Sequence, residues 1–254
     1  MGVPVNRSRV HRVTSVVIRQ RDLGEADRVV VLFTRELGKL SAVAKGVKRA
    51  RSKLAGCLQL FAHVEALLAV GRTLDVVTQV RPLDPCYRLR TDMARYTHAS
   101  YAAELLDTLL EERAPAPAVF DLLVAVLRGL DGEGDPATLI RGYELKLLSS
   151  LGYGPELFTC VSCGTEVEGG RAGFATAEGG VVCARCQRSL GVTPVSPTAL
   201  RAMRDFAAMP EAELAGRKLS RPAAEELARV LRAFVDYQLP RPLHSTAFLT
   251  EART

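Results

Sequence analysis

The chain has 254 residues, of which 48% are apolar and 24% charged, a balance that fits folded globular domains and excludes a predominantly disordered protein. Its formal charge of +6 is uneven: residues 1–53 hold thirteen Lys/Arg against four Asp/Glu, a local +9, which leaves the remainder at about −3. Positive charge gathered in this way is the footprint expected for a phosphate backbone, although a basic stretch can also serve only as a solvated face. No run approaches the roughly 18 apolar residues of a membrane span, and the start has no apolar signal core. A cytoplasmic protein is therefore expected. In that reducing compartment the six cysteines call for an explanation other than disulfides.

The first eighty residues read as β. Segments 13–18, 28–34, 39–44, 58–70 and 73–80 are rich in Val and Leu and are divided by turn formers such as Asp22-Leu23-Gly24 and Glu36-Leu37-Gly38. Short strands this closely spaced, with no helical period between them, predict a small barrel. Segment 58–70 is long for one strand and is expected to bend or to form two. Residues 45–55 carry too few apolar side chains to bury and are expected to form an exposed basic loop.

Beyond Pro85 the period changes. Residues 97–112 place Tyr101, Leu105 and Leu109 at helical intervals, and residues 117–130 do the same with Phe120, Leu123, Val124 and Leu127. Asp135-Pro136 is an N-cap followed by proline at the first helical position, and predicts a helix running to Leu151 and stopping at Gly152. Ser196-Pro197 repeats the signal for residues 198–209, and Ser220 opens residues 222–239. The apolar stripes of these helices predict a bundle core.

Between the third and fourth helices, residues 158–189 are glycine-rich and poor in large apolar side chains, so hydrophobic burial alone is not expected to hold them. Two Cys-x-x-Cys pairs, Cys160/Cys163 and Cys183/Cys186, lie there with 19 residues between them. This spacing suits one structural Zn2+, with Gly164 admitting the tight turn after the first pair and the intervening residues forming a hairpin. A redox motif would use one pair and leave the other unexplained. Two disulfides would need an oxidising compartment. Four thiolates leave no open position for water, so a catalytic zinc is not expected. Cys57 and Cys86 are expected to be small core residues.

No phosphate loop, dinucleotide fingerprint or His-Glu-x-x-His is present, and the four histidines are scattered. Glu111-Glu112 and Glu225-Glu226 are expected on helices as solvated charges. A catalytic constellation is not visible, and no enzymatic activity is expected.

The run Val16-Val-Ile-Arg-x-Arg-x-x-Gly24-Glu25-x-Asp27-Arg-Val-Val-x-Leu-Phe-Thr34-x-x-x-Gly38-Lys-Leu-x-x-Val-Ala-Lys45-Gly46 resembles the start of the bacterial recombination mediator family RecO. The likeness continues through Leu58-Gln59-Leu60-Phe61, Tyr143-Glu-Leu-Lys-Leu-Leu-x-x-Leu-Gly152-Tyr-x-Pro155 and the tail Leu243-His244-Ser245-x-x-Phe248-Leu249, where His244 stands in place of the usual lysine.

The resemblance implies an α+β multidomain chain: an OB-fold β-barrel over residues 1–82, a helical domain over 83–156 and 191–254, and a four-cysteine zinc module inserted at 157–190. It implies binding to single- and double-stranded DNA, annealing of complementary strands, and work beside RecR and single-stranded-DNA-binding protein (SSB) during RecA loading in repair at the nucleoid. The DNA contacts expected are Arg7, Arg9 and Arg12 as a basic arm, with Arg35, Lys39, Lys45, Lys48, Arg49, Arg51 and Lys53. Arg201, Arg204, Arg229 and Arg232 are expected to rim a groove for SSB's acidic tail, unless they are only the wet side of their helices. The alternatives are a nucleic-acid-modifying enzyme with a zinc ribbon and a sequence-specific transcription regulator.

Overall fold

The computed structural model describes residues 10–189 and 191–246. They form two compact units. One holds the described residues up to Thr91 together with Leu109–Phe120, and the other holds Asp92–Thr108 and the chain from Asp121 onward.

The first unit is a closed barrel of β1 (Val10–Leu23), β2 (Asp27–Thr34), β3 (Gly38–Ala44), β4 (His63–Ala69) and β5 (Asp75–Asp84), in the order β1-β2-β3-β5-β4. Closure between β3 and β5 is parallel, and the other pairings are antiparallel. Alternation sends Val13, Val17, Val30, Leu32, Leu40, Ala42, Ala66, Leu68 and Val77 inward to one core. Strand β1 reaches farther than its Val-rich run suggests. Its first half pairs with β4 and its second half with β2, and the register shifts at a bulge between Val17 and Arg19.

Segment 58–70 is a turn followed by one strand. Leu58 is buried, and Phe61 takes the left-handed conformation (φ +67°) while its amide donates to Val17 O at 2.8 Å. Strand β4 begins only at His63. The basic loop also differs from expectation. Val47 is buried in the barrel core and Leu54 and Ala55 pack against it, while Lys45, Lys48, Arg49, Arg51 and Lys53 face out. The loop is a plug with a charged rind.

Leu109–Phe120 runs over the outside of this barrel. Phe120 packs on Phe33 with ring centroids 5.7 Å apart, the Arg113 amide donates to Lys39 O at 2.7 Å, and the Arg113 guanidinium donates to buried Asp75 at 2.8 Å. Gly38 (φ +71°) lies beneath: a Cβ there would sit 2.2 Å from Ala114 O. Glu111 and Glu112 consequently lie outside any helix, and Glu112 forms an isolated β-bridge with Lys39.

The second unit contains α1 (Met93–Leu109), α2 (Pro117–Asp131), α3 (Pro136–Ser150), α4 (Pro197–Ala208) and α5 (Arg221–Gln238), with the end of α1 and the start of α2 assigned to the first. The Asp135 side chain caps α3 by accepting from Thr138 N at 2.9 Å, and Gly152 (φ +83°) follows its end, as the sequence predicts. The Ser196 hydroxyl accepts from Ala199 N at 3.2 Å to cap α4. Ser220 precedes α5 but makes no side-chain cap. Glu226 is not a solvated charge: its carboxylate accepts from Ser196 N and Oγ, both at 2.6 Å.

Helix α3 is buried almost all round, including its charges. Tyr101 OH donates to Glu144 Oε1 at 2.5 Å, and the Arg141 guanidinium lies 2.9 Å from Glu144 Oε2. Burial pushes the Glu144 carboxyl up, while Arg141 and Tyr101 pull it back. Glu104 on α1 accepts from the amides of His244 and Ser245, each at 2.8 Å, and so anchors the last described turn. Among the described residues no helix is long and apolar enough to cross a membrane.

Substituting Gly38→Ala should destabilise the protein by roughly 1–3 kcal/mol, because the left-handed backbone and the Ala114 carbonyl both oppose a Cβ. Urea unfolding followed by circular dichroism checks this; an unchanged midpoint would mean that the segment does not lie on the barrel.

Candidate nucleic-acid interface and metal centre

The bulge in β1 decides which way its arginines point. Beyond it Gln20 turns inward, where its side-chain amide donates to Leu58 O at 2.6 Å, so Arg19 and Arg21 face out. On the outer face the pairing registers place Arg19, Val31 and Ser41 in one row and Arg21, Val29 and Val43 in the next. Arg19, Arg21, Val29, Val31 and Ser41 line one open groove. Val29 and Val31 are nearly excluded from water, consistent with arginine stems lying over an apolar floor.

The basic loop borders this groove because its first turn is pinned to the β1–β2 hairpin. The Gly46 amide donates to Asp27 Oδ1 at 2.7 Å, the Lys48 amide to Ala26 O at 3.0 Å, and the Lys48 ammonium to Asp22 Oδ2 at 2.9 Å. Asp22 also accepts from Arg28 at 3.0 Å, and the Lys48 and Arg28 bonds hold its carboxyl below the ordinary range. Arg19 and Arg21 are not among the contacts expected from the sequence. The signal is there, two arginines at strand spacing, but the Val-rich run alone marks a strand that ends at Ile18.

The expected DNA contacts do not all lie here. Arg7 and Arg9 fall outside the described residues. Arg12 is exposed on another part of the barrel, where β1 pairs with β4, beside Glu65 at 3.7 Å. Arg35 is exposed in the β2–β3 turn. Lys39 is a correction: it is only 8% exposed, because its row on the outer face, shared with Phe33, is covered by residues 112–120.

In the second unit, β6 (Ala172–Ala175), β7 (Gly180–Val182) and β8 (Thr193–Val195) form an antiparallel sheet in the order β7-β6-β8. The β6–β7 hairpin brings the two cysteine pairs together. The sulfurs of Cys160, Cys163, Cys183 and Cys186 lie within 4.8 Å of one another, and Cys163 and Cys183 are 3.8 Å apart. The first pair sits in a tight knuckle: the Gly164 amide (φ +70°) donates to Cys160 O, and the Cys160 amide to Thr165 O, both at 2.8 Å. In the second knuckle the Cys186 amide donates to Cys183 O at 3.0 Å.

The side-chain and backbone bonds of Thr165 draw the Cys163 thiol down to about 6. Ser162 favours the Cys186 thiolate, but its neighbours Cys163 and Cys183 outweigh it and push that thiol up to about 11. One cation among the four would remove this mutual repulsion. The cluster can hold a single soft metal ion. Cys86 is buried and Cys57 half-buried, and neither belongs to the cluster.

Two side chains that tie the module to the helices are Phe234 of α5 and Arg204 of α4. Phe174 of β6 meets Phe234 of α5 edge-on at 5.3 Å. Arg204 of α4 donates to Leu157 O at 2.7 Å and Val167 O at 2.6 Å, and its guanidinium lies 4.9 Å from the Phe158 ring centre. Arg204 is thus tied into the protein rather than open on a groove rim. Arg232 is half-buried and paired with Asp236 at 2.8 Å, while Arg201 and Arg229 are exposed.

A closed, OB-like barrel with a basic outer groove, followed by a helical unit that carries a four-cysteine cluster, defines a class of two-unit protein with a cationic barrel surface. Known proteins narrow it. Residues 9–86 match the family model of the recombination protein O N terminal region, and residues 90–247 match that of its C terminal region. The chain is 40% identical to the DNA repair protein RecO of Roseiflexus sp. (strain RS-1), over 97% of this chain and 87% of that one. It is also 40% identical to the Symbiobacterium thermophilum DNA repair protein RecO (96% and 98% covered) and 37% to that of Desulfitobacterium hafniense (93% and 88%). The chain belongs to the RecO family.

Arg204→Ala should leave the Leu157 and Val167 carbonyls without their donor and loosen the module. Hydrogen exchange should quicken over residues 157–189 while the barrel strands keep their protection. Equal protection in variant and parent would show that the module is held by other contacts.

Proposed function

We propose that this chain is a non-enzymatic DNA-binding mediator that anneals complementary strands and assists RecA loading on SSB-coated single-stranded DNA in recombinational repair. The observation that carries this reading is the groove across β1, β2 and β3, bordered by the plugged basic loop. Arg19 and Arg21 stand two residues apart on one strand, and Lys45, Lys48, Arg49, Arg51 and Lys53 continue outward from the same end of the sheet. Phosphates can follow this path and release counterions as they bind. The groove floor is aliphatic, so charge rather than ring stacking dominates the affinity, and sequence preference should be slight. Screening two strands on one cationic surface lowers their repulsion and favours pairing without nucleotide hydrolysis. The names of the relatives, all DNA repair proteins, support the same reading.

In this reading the metal is Zn2+ in a structural role, since four clustered thiolates would fill its tetrahedral positions and leave no site for water. RecR and the acidic tail of SSB are the protein partners in this reading, with Arg201 and Arg229 the cations offered by the helical unit. The competing assignment, a sequence-specific regulator, requires strong preference for one site over random DNA.

The Arg19→Glu/Arg21→Glu double variant should bind a fluorescent 30-mer at least tenfold more weakly at moderate salt, with an unchanged melting temperature. Its log–log salt slope should be shallower by roughly 1.4, about 0.7 for each lost contact on a single strand. Parent-like binding would place the DNA elsewhere. Metal analysis should find one zinc per chain, and chelation should open residues 157–189 to proteolysis while DNA binding by the barrel persists. Zinc-free protein with the same digestion pattern would reject the structural role.

A further inference from the structure

The barrel has a second open outer face, built where the first half of β1 pairs with β4 and β5. The registers set out three rows: Val10, Ala69 and Val76; Arg12, Leu67 and Gln79; Thr14, Glu65 and Arg81. The inward neighbours Val13, Ala66, Leu68 and Val77 belong to the core, so these rows point to solvent. Arg12, Glu65, Leu67, Gln79 and Arg81 line a shallow groove. The arrangement repeats that of the first face, with guanidinium groups flanking an aliphatic floor.

A carboxylate sets this face apart. Glu65 lies between the two guanidinium groups, 3.7 Å from Arg12 and 3.4 Å from Arg81. Both contacts are long, and both arginine side chains are largely exposed, at 74% and 67%. Such pairs contribute little to stability and exchange readily with other anions. Glu65 is a resident counter-ion for both guanidinium groups, and a second carboxylate, Glu36, accepts from the Thr14 amide at 2.9 Å at the edge of the same face.

We infer that the β1–β4–β5 face is a second, weaker seat for a nucleic-acid strand, gated by Glu65, so that one barrel holds two strands at once. This rests on the DNA-binding reading of the first face. It adds a division of labour: the β1–β2–β3 groove retains one strand, and the second face presents a complementary strand that leaves easily when pairing fails. Strand β1 contributes to both seats, with Arg12 on one side of its bulge and Arg19 and Arg21 on the other.

Two substitutions test it on the full-length protein, with fluorescein-labelled 15-mers and their complements as probes. Arg81→Glu inverts the charge of the second seat. Titration at stoichiometric concentration should fall from two 15-mers per chain to one, and annealing should slow at least tenfold, while the tighter of the two binding events is retained. Glu65→Gln removes the resident anion. It should tighten the weaker event about threefold and give that event a steeper salt dependence.

A parent protein that binds two 15-mers, beside variants with the same stoichiometry and annealing rate, overturns the second seat and leaves the first intact. A parent that binds one strand only also overturns it. A parent that binds no DNA removes the function proposed above and this inference together. Should Arg81→Glu fail to fold, Glu65→Gln decides alone, since an amide is nearly the same size as the carboxylate it replaces.

Discussion

Strand β1 changes partners halfway along the closed barrel, and what the barrel shows to solvent follows from that change. Its first half is hydrogen-bonded to β4 and its second to β2, so the strand must turn a corner. The extra residue near Ile18 makes the corner, because a bulge adds twist and resets the alternation of side chains. Without it Gln20 would face out, and Arg19 and Arg21 would point into a core lined by Val30 and Ala42. Burying two guanidinium groups unpaired would be prohibitive. The bulge is therefore a condition of folding as well as the device that aims the arginines.

The helical unit is organised by a different constraint. Its central helix α3 buries Glu144 and Arg141 with Tyr101, a set in which each polar group depends on the others for its partner. Buried polar groups of this kind add little net stability but penalise any other packing, since a slipped helix would strand a charge. The cysteine module buries more apolar surface than its composition suggests, through Val167, Ala172, Phe174, Ala175, Val181 and Val182. It takes its position from Phe234 and Arg204 on the neighbouring helices, and its internal geometry from two knuckles closed on four sulfurs. Those four sulfurs lie close enough to hold a single metal ion.

Much of this is legible from local patterns. Val-rich alternation marks all five barrel strands, Asp135-Pro136 and Ser196-Pro197 mark two helix starts, and the paired Cys-x-x-Cys spacing marks the cluster. Information carried by distant residues is not legible. Lys39 reads as an exposed strand cation until residues 112–120 are seen to cover it. Glu226 reads as a wet helical charge until Ser196 is found donating to it, and Arg204 reads as a surface cation until the carbonyls of Leu157 and Val167 claim it. Loop 45–55 looks too polar to bury anything because its few apolar residues, Val47, Leu54 and Ala55, are spread along it. Each of these depends on a partner far away in the chain, which neither periodicity nor composition records.

The cover on the barrel also says how the molecule can be divided. Leu109–Phe120 follows most of α1 in sequence yet belongs to the barrel unit. A fragment ending near Thr91 would contain every barrel strand but would leave Phe33 bare, Asp75 without the Arg113 guanidinium and Lys39 stripped of its lid. The two compact units are interleaved along the polypeptide, so a single cut cannot separate them cleanly. A ribosome making this chain must emit the first helix of the other half before the barrel can be sealed.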